Sequence, residues 1–140
     1  MNRLPRLILV GCGARKLPHA APAKDLYTGP LFRAARAYAE THADAWYILS
    51  AKYGLVHPEH VIEPYDVYLP RLNAAERQAL LAQIAPCLDS LGYETVTLLA
   101  SAAYCDLVRP LLANRQIVEP LAGMGIGQRS AWLRAALKSQ

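Results

Sequence analysis

Four short apolar runs alternate with four stretches of helical periodicity, and this alternation narrows the fold more than any other feature. Residues 7–10 form a continuous apolar run ending in Gly11, as expected of a buried parallel strand. Runs at 45–49, 95–100 and 116–118 read as three more strands. Between them, 26–40 carries Leu31, Ala34, Ala35 and Tyr38 at helical spacing, with Pro30 near its start. A second helix is predicted from Ala74 to about Leu88, capped by Asn73 with Glu76 in a capping-box position and ended by Gly92. A third runs over 101–112 with an interruption at Pro110, and a fourth begins at Ile126. The expectation is one α/β domain over 1–140, with a mostly parallel, Rossmann-like sheet of about four strands and flanking helices.

The chain's 140 residues suffice for one sizeable core, and a 54% hydrophobic content argues against disorder. No apolar run reaches membrane-spanning length, so no membrane partner is expected. The basic start and short apolar run at 1–10 lack the length and cleavage site of a secretory leader. Cys12, Cys87 and Cys105 are odd in number and unpatterned, which fits neither a disulfide framework nor a zinc site. They suit a reducing cytoplasm, with Cys87 and Cys105 expected in the core. A net charge of +4 permits a polyanionic partner without requiring one, and oligomeric state is not legible.

Chemistry concentrates in residues 50–66, which follow the second strand. The stretch holds Ser50, Lys52, Tyr53, His57, His60, Glu63, Tyr65 and Asp66, broken by Gly54, Pro58 and Pro64. It reads as a long irregular loop, too rich in ionisable and aromatic groups to be a mere turn. Carboxylates at Glu63 and Asp66 beside rings at Tyr53 and Tyr65 offer acceptors and a π-face, the needs of a nucleobase or ribose pocket. The alternative is a loop pinned by buried tyrosines. His57, His60 and Glu63 do not read as a metal site, because Pro58 prevents a regular helix there. No cofactor is implied.

Two further segments fall at strand ends. The turn at 11–16 places Gly11, Cys12, Gly13 and Lys16 after the first strand, where glycine amides can approach an anion. Lys16 there is a phosphate ligand or an amine nucleophile, or else a surface Lys on a tight turn. Gly123, Gly125 and Gly127, with Arg129, open the last helix and resemble a phosphate clamp, although a lone glycine pattern is weak. Residues 27–32 read equally well as a plain helix start or as part of a site. Cys12, Ser50, Ser101 and Gly123 each follow a strand and should border one cleft.

The run Ser50-x-x-Tyr53-Gly54-Leu55-Val56-x-Pro58, then Pro64-Tyr65, resembles the central motif of the YaaA (peroxide-stress, UPF-type) family. Gly-Cys-Gly-x-x-Lys at 11–16, Asp-Leu-Tyr-Thr-Gly-Pro-Leu-Phe at 25–32 and Leu-Ser-Ala-Lys-Tyr-Gly-Leu at 49–55 are similar to short uncharacterised relatives of that family. Asp66 departs from it, standing where YaaA proteins carry a basic residue. The helix-hairpin-helix segment of the longer members has no counterpart in this sequence. Cys12-x-x-x-Lys16 distantly resembles the Cys-Ser-x-x-Lys motif of archaeosine synthase domains, whose lysine is implicated in attack on a modified tRNA base. These resemblances imply a cytoplasmic protein acting on a nucleotide or nucleic acid, by base modification or N-glycosidic bond chemistry. Lys16, Glu63 and Asp66 would be catalytic. Cys12, Gly13, Ser50, Lys52, Tyr53, Tyr65, Gly123, Gly125, Gly127 and Arg129 would bind substrate. One rival is a non-catalytic DNA-binding protein of the oxidative stress response, and another a redox-active thiol protein centred on Cys12.

Overall fold

The computed structural model describes residues 5–138. The first four residues, which carry the basic start weighed against a leader, and the last two lie outside it. A five-stranded sheet is built from β1 (Arg6–Gly11), β3 (Ala45–Ser50), β4 (Gly54–Val56), β6 (Thr95–Leu99) and β7 (Gln116–Val118). Its order is β4-β3-β1-β6-β7. All neighbours are parallel except β3 and β4, which form an antiparallel hairpin. A separate antiparallel pair joins β2 (Ala21–Pro22) to β5 (Val61–Ile62).

The four parallel strands are those read from the sequence. The fifth was missed because it lies inside 50–66, read as irregular. That reading is corrected: the stretch folds as a hairpin and then pairs again through β5. Gly54 makes the hairpin possible, since its φ of +78° is strained for residues with a Cβ. Ser50 caps the turn by accepting from the N–H groups of Lys52 (3.2 Å) and Tyr53 (3.0 Å).

Among the described residues five α-helices accompany the sheet: α1 (Ala23–Leu26), α2 (Pro30–His42), α3 (Ala74–Ser90), α4 (Ala102–Val108) and α5 (Ile126–Lys138). The expected helix over 26–40 begins later, because Pro30 occupies its first turn and Gly29 its extended N-cap. Leu26 closes the separate α1. α3 carries the expected capping box, with Asn73 and Glu76 each accepting from the other's backbone. It ends at Ser90 with Leu91 as its C-cap, and Gly92 follows without the positive φ of a left-handed glycine cap. α4 passes into a 3-10 turn at Arg109–Leu112, where Pro110 interrupts the helical bonding.

Side-chain alternation along β1 sets the layers. Leu7 and Leu9 face one core with Leu80, Ile84 and Leu88 of α3 and Leu107 of α4. Ile8 and Val10 face the other with Phe32 and Ala35 of α2 and Leu133 of α5. All four β1 side chains are at most 1% exposed. Each contributes roughly 1.5–3 kcal/mol by burial. The result is an α/β/α sandwich whose central strand is apolar on both faces, as the unbroken run required. At the strand ends β1 and β6 approach closely: a Cβ on Gly11 would lie 2.9 Å from Cβ of Ala100.

Candidate functional site

The strand order reverses at β1, which has β3 on one side and β6 on the other. Loops leaving such neighbours diverge and open a crevice at the C-terminal edge. A cleft of about 460 Å³ lies there. Its walls include Cys12, Gly13 and Lys16 after β1, Ser101 and Tyr104 after β6, and Asp66 to Pro70 beyond β5.

Backbone bonding holds Lys16 in place. Leu17 N–H donates to the Leu26 carbonyl (2.8 Å) and Thr28 N–H to that of Arg15 (3.0 Å). Lys16 and Tyr27 thus face each other across an isolated antiparallel bridge. The Lys16 ammonium lies 4.6 Å from the centroid of the Tyr65 ring and 5.8 Å from that of Tyr27. It donates to the Ala14 carbonyl at 3.3 Å. Among the described residues no carboxylate pairs with it. The rings stabilise a cation without neutralising it.

Beside Lys16 runs a chain of hydroxyls. Ser50, fully buried, donates to the Tyr65 phenol at 2.7 Å, and the Tyr65 and Tyr27 oxygens are 2.6 Å apart. Ser50 can only donate outward, because its oxygen already accepts the two hairpin N–H groups. Tyr104 places its phenol 3.0 Å from Cys12 Sγ. Burial pushes the Tyr27, Tyr65 and Tyr104 phenols above their ordinary pKa, and the nearby Cys12 adds to the shift at each. All three therefore remain neutral hydrogen-bonding groups at physiological pH. Tyr53 packs edge-on against Tyr65 and donates to the Glu63 carbonyl at 3.3 Å.

The residues anticipated from the sequence divide into three groups. Cys12, Gly13, Lys16 and Asp66 line the cleft, as does Ser101. Ser50, Tyr53 and Tyr65 stand behind it in the hydrogen-bonded and stacked support, while Lys52 is exposed with its ammonium 5.3 Å from the Tyr53 centroid. Glu63, Gly123, Gly125, Gly127 and Arg129 do not line it, which corrects the expected convergence. Glu63 points to solvent and engages through its backbone. Arg129 spends its Nε on the Met124 carbonyl (2.9 Å) and borders a small hollow of about 120 Å³. That hollow shares Cys12, Gly13 and Ser101 with the cleft. Gly123 belongs to another hollow, beside the Arg109–Glu119 pair. The glycines shape the turn into α5: Gly123 has φ +76°, and Gly125 N–H is taken by the Gln128 side chain.

Tyr104 and Tyr68 were missed. A signal was present in the composition: eight Tyr against a single Phe means phenol oxygens, not rings alone, are wanted. Nothing local to either residue marks it, since one sits on an amphipathic helix and the other before a proline turn. The three cysteines also divide. Cys12 is partly exposed in the cleft wall, and Cys105 is buried with its thiol pushed up to about 11 by burial. Cys87 is exposed, contrary to expectation, because the buried side of α3 passes through Leu80, Ile84 and Leu88 and leaves it outside.

Comparison with known proteins places the chain. A family of unknown function (DUF6884) matches residues 7–135. The chain belongs to that family. The uncharacterised protein YfjM of Bacillus subtilis is 39% identical over 71 residues, covering 46% of this chain and 47% of YfjM. The crystal structure of AF0587, a protein of unknown function, aligns over 96% of this chain and 44% of AF0587, with a TM-score of 0.59 and 14% identity. That likeness is one of fold. The matched regions thus span about half the length of each of these relatives. Membership of the YaaA family and the link to archaeosine synthase domains are corrected by the match to DUF6884 and YfjM. The motif behind the first expectation is a hairpin: Ser50 caps it, Gly54 turns it, and Leu55 and Val56 are buried in β4. Such residues specify a turn wherever one is needed, so each has a local structural reason to be there. Among the described residues no helix is long and apolar enough to cross a membrane.

Proposed function

We propose that the cleft at the C-terminal ends of β1 and β6 binds a nucleobase-containing anion and that its chemistry is directed at the base or its glycosidic bond. In this reading the sheet works as Rossmann-like sheets do, presenting its ligand at the point where strand order reverses. The observation that carries it is Lys16: a cation lining the cleft, backed by two aromatic rings and free of any carboxylate partner among the described residues. An ammonium so placed holds phosphate as a point charge. Asp66, the one carboxylate lining the cleft among the described residues, accepts from ring N–H or ribose hydroxyl groups and is the candidate acid/base. A volume of about 460 Å³ lies within the range of small-molecule sites.

The rival of a non-catalytic duplex-DNA binder wants a continuous field of free cations. Lys24 is paired with Glu59, Arg36 with Asp25 and Glu40, and Arg109 with Asp106 and Glu119. Those pairings take three of the described cations out of such a field.

The test is a thermal-shift panel of nucleotides, followed by affinity and turnover for wild type, Lys16→Arg and Lys16→Ala. Lys16→Ala should weaken nucleotide binding roughly tenfold to a hundredfold, the worth of a charge-assisted bond. Lys16→Arg should keep most of it. Equal loss of turnover in both variants with binding intact would make Lys16 a nucleophile instead, since a guanidinium supplies no free amine. Full binding together with full turnover by Lys16→Ala would remove Lys16 from the site and the reading with it.

A further inference from the structure

We infer that Tyr68 and Arg71 form a stacking platform at the lip of the cleft for a second base, so that the ligand is a stretch of single-stranded nucleic acid and not a free mononucleotide. The inference rests on the nucleotide reading of the cleft and names its substrate class.

Tyr68 lines the cleft and is 61% exposed, among the most open large apolar side chains described. Exposure alone would mean little, because single surface aromatics are ordinary. What distinguishes Tyr68 is that the backbone following it is tied down by burial and hydrogen bonds. The next residue, Leu69, is 2% exposed and anchors the segment in the core. Leu69–Arg71 is a 3-10 turn closed by Arg71 N–H to the Tyr68 carbonyl and Leu72 N–H to the Leu69 carbonyl, both 3.0 Å. From α3 the Arg77 guanidinium reaches back to the carbonyls of Leu72 (3.1 Å), Pro70 (3.4 Å) and Leu69 (3.5 Å). A ring displayed on so constrained a backbone loses little freedom when a partner stacks on it.

The chemistry around the ring matches a nucleotide chain. The Arg71 guanidinium lies over Tyr68 at 5.8 Å from the centroid, leaving the exposed remainder of the ring open. Among the described residues Arg71 has no carboxylate partner, so its charge is available to a phosphate between the two bases. Asp66, two residues before Tyr68, also lines the cleft. Its carboxylate repels phosphate and accepts from polar ring edges, so it suits a base and not the sugar-phosphate backbone. Aromatic stacking with a nearby cation is the sequence-tolerant way proteins hold single strands.

The probes are fluorescein-labelled single-stranded pentanucleotides, DNA and RNA, competed with unlabelled mononucleotides of the same bases. The pentanucleotide should bind more tightly than its mononucleotide. Tyr68→Ala should cut that advantage roughly fivefold to a hundredfold. Tyr68→Trp should retain it, with circular dichroism verifying that both variants fold. Equal affinity for pentanucleotide and mononucleotide overturns the platform and leaves the cleft reading standing. So does an advantage that survives Tyr68→Ala, or a duplex that binds as well as the single strand. Binding of neither probe overturns the cleft reading and the platform with it.

Discussion

Tyr65 connects the sheet to the site through one oxygen atom. Its hydroxyl accepts a hydrogen bond from Ser50 and lies against the Tyr27 oxygen, while its ring underlies the Lys16 ammonium. Tyr65→Phe keeps the ring and removes that oxygen. Ser50 is fully buried and would be left with a proton and no acceptor. The cost of an unsatisfied buried hydroxyl is about 1–3 kcal/mol, so chemical denaturation should show a loss of that size. If Lys16 is placed by the ring and not by the phenol, nucleotide affinity in Tyr65→Phe should change less than stability does. A variant as stable as wild type would mean that the hydroxyl chain contributes nothing to the fold.

Among the elements, α3 shows most plainly how local sequence and packing share the work. Asn73 accepts from Glu76 N–H at 2.8 Å, and Glu76 accepts from Asn73 N–H at 2.9 Å. The same helix start anchors the Tyr68 lip, since Arg77 lies in its first turns and bonds the preceding carbonyls. Asn73→Ala should therefore cost about 1 kcal/mol of stability, the usual worth of an N-cap. It should also raise amide exchange at 69–72, which hydrogen-exchange mass spectrometry reads directly. Unchanged exchange there would separate the lip from the cap. Pro86 inside α3 withholds a donor from the Ala82 carbonyl, and both residues face solvent, where water can take the free carbonyl.

At the scale of the molecule, the short edge strand β7 is tied back to the helical layer by charge. Arg109, in the 3-10 turn after α4, donates to both carboxylate oxygens of Glu119 just beyond β7, at 2.8 and 3.2 Å. The Arg109 hydrogen bonds, outweighing some burial, hold the Glu119 carboxyl below its ordinary pKa. A carboxyl with a lowered folded pKa contributes stability above its unfolded pKa, about 4.3 for Glu. That contribution is lost as pH falls through the lower folded value. Wild type should thus melt above Glu119→Gln at pH 7, and the gap should close in acid below about pH 4. A gap that persists there would assign the loss to packing and not to charge.

Strand and helix periodicities are local, and they were enough for the four parallel strands, the α3 cap and the Pro110 interruption. Each depends on residues a few positions apart whose preferences agree with the final fold. The glycine and lysine after β1 were legible as site candidates for the same reason: a parallel strand's end has only one edge on which to lie. The hairpin at 50–56 was hidden because β4 is just three residues and its pairing partner is set by the sheet. Tertiary structure alone decided which tyrosines meet. Tyr27, Tyr65 and Ser50, with Tyr104 and Cys12, come from distant segments, and their hydroxyl distances depend on how the end of α1, the stretch after β5, α4 and the hairpin pack around β1. It also separated Glu63 from Asp66, three positions apart: both are exposed, and of the two Asp66 borders the cleft. Their spacing is the same whichever way the chain turns after Pro64, and that direction is set by contacts with distant segments, through β5 on β2 and Tyr65 on Ser50 and Tyr27.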